Sequence, residues 1–347
     1  MSAAETLSMD HDQPSPVSIS ELRGPILRRV SRSLFVSIFL LPGKLRDPVA
    51  LGYLLARASD TIADTTEIPI DSRVEKLQLL ARGIQGEAVG DAIYELSAAL
   101  TPLEKNESER ALIESLPSCL DWLDQSETFD REEVRGVLEK INRGQILDLE
   151  RFRDPKQIVA LQAAADLDEY IYLVAGSAGE FWTRLCSEKV RKFSARGESD
   201  MLDLGKRYGQ GLQLINILRD AGDDLRAGRC YFPNEQLAGV AMEPAQIIRE
   251  PQRFLPIYRK WRDKAEQGIK AGIEYSSAVR NRRVRIATVL PALIGARTLA
   301  LLREAGATVL HRHIKVPRKE VRAIINSLAF SLGSQARIQT LFHELSR

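Results

Sequence analysis

The chain has 347 residues, of which 44% are hydrophobic and 28% are charged, and its formal net charge is +2. This length allows one large domain or two ordinary ones with a sizeable core, whereas the small net charge gives a nucleic-acid partner no bulk electrostatic support. The three cysteines, Cys119, Cys186 and Cys230, are too far apart in sequence for a disulfide framework or a zinc ribbon. We therefore expect a cytoplasmic protein with no nucleic-acid partner.

Residues 1–20 predict a mobile leader rather than a targeting signal. The stretch MSAAETLSMDHDQPSPVS is polar and lacks the basic and apolar regions of a secretory signal. Further along, LFVSIFLL (residues 34–41) is too short to span a membrane, and IATVLPALIGARTLALL (residues 286–302) contains a proline and an arginine. These features predict no integral membrane insertion, while peripheral contact with a membrane surface stays open.

Residues 21–347 predict a single all-α domain. Apolar residues recur every three or four positions in nearly every segment, as in amphipathic helices, and little of the chain shows the alternation of strands. Proline and glycine interrupt the helical pattern at Pro42–Gly43, Glu67–Pro69, Asp154–Pro155, Gly228–Pro233 and near Pro251. No fixed-period repeat argues for a solenoid, so we expect antiparallel helices packed around a core.

The first polar motif lies in LGYLLARASDTIAD, residues 51–64. Tyr53, Arg57, Asp60 and Asp64 are spaced by four, three and four residues, which places them on one helix face. The other faces are apolar, so this is a core helix whose polar face should line an internal cavity. Two aspartates four residues apart repel each other, and burial makes their charges costly, so we expect a cation beside them.

The second motif lies in YGQGLQLINILRDAGDDLRAGRCYFP, residues 208–233. Gln213, Asn216, Asp220 and Asp224 are spaced by three, four and four residues and again share one face of an apolar helix. Carboxylates from two facing helices suit Mg²⁺, and neighbouring arginines can hold a phosphate. The two motifs predict a diphosphate ligand with an apolar tail. Alternatively, each motif is a solvated helix face, or its arginine pairs with the aspartates in buried salt bridges.

These motifs resemble the squalene and phytoene synthases, which join two prenyl diphosphates head to head. Residues 30–64 are similar to the opening Ser-Arg-Ser box and first aspartate-rich helix of that family, and DLDEYIYLVAGSAGEFW (residues 166–182) resembles its central tyrosine segment. Residues 208–233 resemble its second aspartate-rich signature, which is the most specific of the three. The resemblance implies an all-α isoprenoid-synthase helical bundle around a central apolar cavity.

The resemblance also implies roles for individual residues. The implied metal ligands are Asp60, Asp64, Asp220 and Asp224. The implied catalytic residues are Tyr53, Tyr170, Arg57 and Arg219. The implied substrate-binding residues are Ser31, Arg32, Ser33, Gln213, Asn216 and Arg229. Two positions depart from the family pattern, since Leu34 stands where many members have phenylalanine and Ala63 stands where the eukaryotic squalene enzymes have a further acid.

The implied function is that of a squalene-synthase-type prenyltransferase. Such an enzyme condenses two farnesyl diphosphates through presqualene diphosphate to squalene, with Mg²⁺-dependent ionisation and reduction by NADPH. In the first motif Asp60 is followed by Thr61 and not by a second aspartate, which favours the squalene synthases over the phytoene synthases. A phytoene or dehydrosqualene synthase without reduction, a terpene cyclase or chain-elongating transferase, and a catalytically silent binding protein remain alternatives. We expect a monomer, and no glycine-rich Rossmann motif marks an NADPH site.

Overall fold

The computed structural model of this protein describes residues 16–31, 34–331 and 333–347. Most of the predicted leader, and the predicted substrate-binding residues Arg32 and Ser33, lie outside these residues. The helices are α1 (Ile19–Glu21), α2 (Leu27–Ser31), α3 (Leu34–Leu40), α4 (Gly43–Asp64), α5 (Ile70–Gln85), α6 (Ala92–Leu100), α7 (Glu107–Glu114), α8 (Leu116–Asp124), α9 (Thr128–Arg151), α10 (Ala164–Ile171), α11 (Ser177–Lys189), α12 (Glu198–Arg226), α13 (Asn234–Ala238), α14 (Pro251–Ala278), α15 (Arg282–Ala305), α16 (Arg318–Phe330) and α17 (Gln335–Leu345).

Short irregular elements connect these helices. Two π-helical turns, Leu22–Ile26 and Tyr172–Gly176, continue α1 and α10, and two 3₁₀ turns lie at Pro244–Gln246 and Gly306–Leu310. In the described part of the chain, the β-structure is one parallel pair of two-residue strands, β1 (Val159–Ala160) and β2 (Arg229–Cys230), and an isolated bridge. The predicted all-α fold is confirmed.

Six helices form the centre of the bundle. α12 packs along α14 and α11, α4 packs along α9, and α15 packs against both α12 and α14. Leucines such as Leu54 of α4 and Leu218 of α12 are fully buried between them. α12 and α14 cross at Gly211 and Gly268, where a Cβ on Gly211 would lie 2.7 Å from the Cα of Gly268. This close approach brings the second polar motif into the interior.

Local signals explain where the site-bearing helices begin. α4 starts directly after Pro42, whose fixed φ favours a helix start, and the chain between α4 and α5 contains the predicted break at Pro69. Asn281 caps α15, because its side-chain oxygen accepts hydrogen bonds from the backbone nitrogens of Arg283 (3.0 Å) and Val284 (3.2 Å). The polar motifs therefore lie on uninterrupted helices.

Among the described residues, one helical segment is long and apolar enough to cross a membrane. It covers Arg282–Leu310, which is α15 and the turn that follows it, and its mean hydropathy reaches 1.5. However, 67% of its most apolar stretch is buried inside the fold, including Leu290 and Leu293. A buried core helix has the same composition as a spanning helix, so packing accounts for this segment.

Candidate active site

The two polar motifs meet at one cavity. Asp60 and Asp64 from α4 and Asp220 and Asp224 from α12 line a polar cavity of about 290 Å³, although 160 residues separate Asp60 from Asp220. The other predicted site residues that line it are Tyr170, Gln213, Asn216 and Arg229. The fold thus brings together eight of the residues that the sequence singled out, as a shared diphosphate–metal site requires.

The arginine of the first motif is held by a carboxylate that the sequence analysis missed. Arg57 donates from Nε to Glu109 Oε1 (3.0 Å) and from Nη2 to the same oxygen (2.8 Å). Glu109, on α7, is only 6% exposed and also accepts a hydrogen bond from Thr61 Oγ1 (3.0 Å). Arg57 Nη1 lies 3.7 Å from Asp60 Oδ2. Glu109 therefore orients the Arg57 guanidinium beside Asp60.

The arginines near the second motif pair with its aspartates. Arg219 Nε donates to Asp220 Oδ1 (2.8 Å), and Arg229 Nη2 donates to Asp224 Oδ1 (2.9 Å). These are salt bridges of the kind that the sequence left open as an alternative. Arg229 keeps a buried Nε that finds no acceptor among the described residues. A donor in that position is available to a phosphate oxygen.

α9 contributes two polar side chains to the cavity wall that the sequence analysis did not assign. Gln145 Nε2 donates to Asp60 Oδ1, and its Oε1 is buried without a donor from the described part of the chain. Asp148 Oδ1 accepts a hydrogen bond from Tyr231 OH (2.8 Å). Gln145 and Asp148 are three residues apart in GQILDLE, a spacing that places both on one helix face. That spacing was the signal available in the sequence.

Burial makes the negative charge in this cavity costly. Burial raises the pKa of Asp60, Asp148 and Asp224 to about 6 each, and the nearby arginines Arg57 and Arg229 oppose the rise without cancelling it. Burial also raises the pKa of Asp64. Neighbouring carboxylates add to the effect, since Asp64 raises the pKa of Asp60. A bound cation would stabilise the ionised form of every carboxylate in this cluster.

The donor groups of the cavity fit Mg²⁺ bound together with a phosphate. Among the described residues, no three His, Cys, Asp or Glu side chains lie close enough to hold one ion by themselves. Mg²⁺ characteristically takes one or two protein carboxylates and completes its octahedron with water and phosphate oxygens. The aspartates and the unpaired Gln145 Oε1 are oxygen donors of this kind. The residues fit an ion that arrives with its diphosphate.

An apolar cavity of about 360 Å³ lies beside the polar one on the same helices. Its walls include Tyr53 of α4 and Ile141 of α9, each about one or two turns before the polar residues Asp60 and Gln145. Phe181, Trp182 and Tyr275 provide aromatic surface. This cavity matches the central apolar cavity expected from the resemblance.

Two predicted residues lie away from the polar cavity. Tyr53 lines the apolar cavity, and its hydroxyl donates to the backbone oxygen of Val30 (3.1 Å). Ser31 is buried and donates to the backbone oxygen of Leu27 (2.5 Å). Neither side chain lines the polar cavity that holds the aspartates.

Comparison with known proteins decides the family. The sequence model of the family Squalene/phytoene synthase matches residues 27–320 of this chain. The chain belongs to this family. The squalene synthase of Eremothecium gossypii is 29% identical over 237 residues, which are 67% of this chain and 50% of that protein. The bifunctional lycopene cyclase/phytoene synthase of Leptosphaeria maculans is 26% identical over 230 residues, 65% of this chain and 36% of that protein.

A solved structure confirms that the family fold extends over nearly the whole chain. The structure of TcSQS with the ligand E5700 has a TM-score of 0.72 and 21% sequence identity, and the match covers 94% of this chain and 98% of that one. The chain spans only about half of the curated E. gossypii relative. Family members are head-to-head prenyltransferases that act on prenyl diphosphates, and the fold and family predicted from the motifs are both confirmed.

Proposed function

We propose that this protein condenses two farnesyl diphosphates head to head to form squalene through presqualene diphosphate, using Mg²⁺ and NADPH. The observation that supports this proposal is the junction of two cavities. Five aspartates on three helices line a polar cavity, and an apolar cavity adjoins it along the same helices. A diphosphate head and a prenyl tail require this combination of surfaces.

The polar cavity would bind the diphosphate. Asp60, Asp64, Asp220 and Asp224 are the proposed Mg²⁺ ligands, with Gln145 Oε1 as a further oxygen donor. When bound, Mg²⁺ would act as a Lewis acid that stabilises the charge on the departing diphosphate. These residues would position the head group, because side chains of α4, α9 and α12 line the same cavity.

Arginines supply fixed positive charge around the head group. Arg229 lines the cavity, and its Nε has no acceptor among the described residues. Glu109 holds Arg57 in place. We assign both to the leaving diphosphate, whose developing negative charge preorganised donors stabilise. Arg219 has its Nε committed to Asp220, so its proposed contribution is to hold that carboxylate and add charge nearby.

The apolar cavity would hold the prenyl chain and protect the allylic cation. Its lining is almost entirely carbon, with Phe181, Trp182 and Tyr275 among the wall residues. Excluding water prevents capture of the cation, and aromatic ring faces attract positive charge. Tyr53, one turn from Arg57, lines this cavity, and we assign it a role in shaping the bound substrate.

Tyr170 is the proposed residue that steers the proton lost on ring closure. Its ring stacks on that of Tyr231 with centroids 5.2 Å apart, and Tyr231 in turn donates to Asp148. Burial raises the pKa of Tyr170 well above its usual range, so its hydroxyl stays protonated. A neutral phenol orients a base better than it acts as one. The released diphosphate is therefore the proposed proton acceptor.

Dehydrosqualene or phytoene synthesis without reduction is the second candidate. The similarity to a lycopene cyclase/phytoene synthase supports it. Purified protein with farnesyl or geranylgeranyl diphosphate and Mg²⁺, with and without NADPH, separates the two by product mass spectrometry. Squalene that appears only with NADPH supports the first candidate. Dehydrosqualene or phytoene formed without NADPH supports the second, and no consumption of substrate refutes both.

The aspartates can be tested with a matched pair of variants. We expect Asp60→Asn to reduce turnover by at least about a thousandfold, as loss of a key electrostatic contribution does. Asp223→Asn, on α12 but outside the polar cavity and with a side chain 68% exposed, should retain activity. Melting curves of both variants should resemble those of the parent. If Asp60→Asn instead unfolds the protein, the Asp60 carboxylate is needed for the fold.

A further inference from the structure

Three aromatic side chains pack together at the polar cavity. Tyr170 and Tyr231 both line the cavity, and their rings stack with centroids 5.2 Å apart and an interplanar angle of 22°. Phe152 supports them from behind the cavity lining, because its ring meets that of Tyr231 in a T-shaped contact at 5.2 Å. These three residues, here called the aromatic wall, come from three separate parts of the chain.

The parallel pair of β1 and β2 sets the direction in which Tyr231 points. Leu161 N donates to Cys230 O (3.1 Å), which fixes the backbone directly before Tyr231. Side chains two residues apart in an extended segment project to the same side. Arg229 and Tyr231 accordingly both line the polar cavity, whereas Cys230 between them is buried in the core. The β-pair thus delivers an arginine and a tyrosine to one site.

Asp148 anchors the polar end of Tyr231. The Tyr231 hydroxyl donates to Asp148 Oδ1 (2.8 Å), and both residues line the polar cavity. Tyr231 is only 7% exposed, so its hydroxyl needs an acceptor within the protein. Phe152 follows Asp148 by four residues at the end of α9. One segment of the chain therefore holds Tyr231 both by its hydroxyl and by its ring.

Asp148 also acts electrostatically on Tyr170. Burial is the main cause of the raised pKa of Tyr170, Asp148 adds to the rise, and hydrogen bonding with the Tyr231 side chain opposes it. Burial likewise raises the pKa of Tyr231 well above its usual range. Both phenols therefore stay neutral, and what they contribute to the site is a fixed position.

A buried tyrosine with a satisfied hydroxyl can also be purely structural, and Tyr258 is such a case. Tyr258 is 1% exposed, its hydroxyl donates to the backbone oxygen of Leu218 (3.1 Å), and it lines neither cavity. Tyr231 differs in two respects. Its acceptor is a carboxylate of the polar cavity, and its ring stacks on Tyr170, which we assigned to the reaction.

We propose that Asp148 is a positioning residue, which acts through Tyr231 to hold Tyr170 in place beside the carbon that loses the diphosphate. This inference rests on the proposed function. It assigns to the aromatic wall the exclusion of water from the allylic cation at the head-group end of the substrate.

The two fates of the cation give the proposal a measurable consequence. Departure of the diphosphate breaks a C–O bond and leaves the cation. In the productive reaction the double bond of the second farnesyl diphosphate forms a C–C bond to it, and ring closure passes one proton to the released diphosphate. With the aromatic wall displaced, water instead forms a C–O bond to the cation and gives up one proton, which yields farnesol.

Product partition in the full-length protein tests the proposal. The protein is incubated with farnesyl diphosphate and Mg²⁺, with and without NADPH, and reactions without protein correct for spontaneous hydrolysis. Mass spectrometry measures farnesol against all C30 products, which are presqualene diphosphate, dehydrosqualene and squalene. We expect Tyr231→Phe to raise the ratio of farnesol to C30 products by about tenfold, because small misplacements of positioned groups have effects of this size or larger.

Two substitutions of Asp148 separate its hydrogen bond from its charge. Asp148→Asn keeps an oxygen that can accept from the Tyr231 hydroxyl, whereas Asp148→Ala removes the acceptor. We expect Asp148→Asn to keep the product ratio of the parent within about twofold, and Asp148→Ala to shift the ratio as Tyr231→Phe does. If Tyr231→Phe does not fold, this pair of variants decides the question.

Tyr258→Phe is the matched control, because it also removes a buried hydroxyl that donates one hydrogen bond. It should lower the melting temperature much as Tyr231→Phe does, but it should leave the product ratio unchanged, since a loss of folded protein reduces all products equally.

Three results would overturn the inference. These are an unchanged ratio in Tyr231→Phe or Asp148→Ala, an equal shift in Tyr258→Phe, or a shift in Asp148→Asn as large as that in Asp148→Ala. An active parent with any of these results refutes the inference alone. A parent that consumes no farnesyl diphosphate refutes the proposed function, and the inference falls with it.

Discussion

We predict that Glu109 positions Arg57 and that its removal affects both stability and catalysis. Its carboxylate accepts from two nitrogens of Arg57 at 2.8–3.1 Å and from Thr61 Oγ1 at 3.0 Å, and it is almost fully buried. Glu109→Gln keeps the shape of the side chain but removes its charge and replaces one acceptor with a donor. The guanidinium of Arg57 then loses its fixed orientation beside Asp60.

The expected loss of stability follows from the exposure of the pair. Breaking a fully buried ion pair costs about 3–5 kcal/mol, but 34% of the Arg57 side chain is exposed and water compensates for part of the loss. A charge-assisted hydrogen bond contributes about 1.5–3 kcal/mol. We therefore expect Glu109→Gln to lower the free energy of unfolding by about 2 kcal/mol, which corresponds to about 3 °C in a chain of this length.

Catalysis separates a positioning role from a purely structural one. Below the melting temperature, kcat for farnesyl diphosphate should fall by about tenfold or more, because a misplaced guanidinium stabilises the leaving group less well. Glu114→Gln is the matched control, since Glu114 is exposed on the same helix, and should change stability by less than about 0.5 kcal/mol. A Glu109→Gln variant that melts and turns over like the Glu114→Gln control would refute this reasoning.

Two further predictions concern the α12–α14 crossing and the pH dependence of stability. Gly211→Ala should destabilise the fold by about 1–3 kcal/mol, because its Cβ would meet Gly268 at 2.7 Å. Gly136→Ala, in the middle of α9 with open space around it, should instead stabilise by about 0.5–1 kcal/mol; equal melting shifts in the two would contradict the packing argument. Burial raises the pKa of Asp148 to about 6, so the folded chain binds this proton more tightly than the unfolded chain does. The resulting contribution of Asp148 to the free energy of unfolding is complete below about pH 4 and is lost as pH rises through about 6. Asp148→Asn should therefore gain stability relative to the parent between about pH 4 and pH 7 in metal-free thermal melts, and a constant difference across that range would rule out this titration.

The sequence by itself determined the helical architecture and the two acidic faces. Pro42 and Pro69 lie between helices as predicted, because proline restricts the backbone locally whatever surrounds it. The spacing of Asp60 with Asp64, and of Asp220 with Asp224, already placed each pair on one helix face. Local backbone geometry is encoded in neighbouring residues, so these features could be predicted without coordinates.

Only the tertiary structure decided which side chains complete the site. Glu109 is 52 residues from Arg57, and Tyr231 is 83 residues from Asp148, and no periodicity in the sequence links either pair. Helical spacing says which residues share a face but not which other face they meet. That choice depends on how α4, α7, α9 and α12 pack against one another.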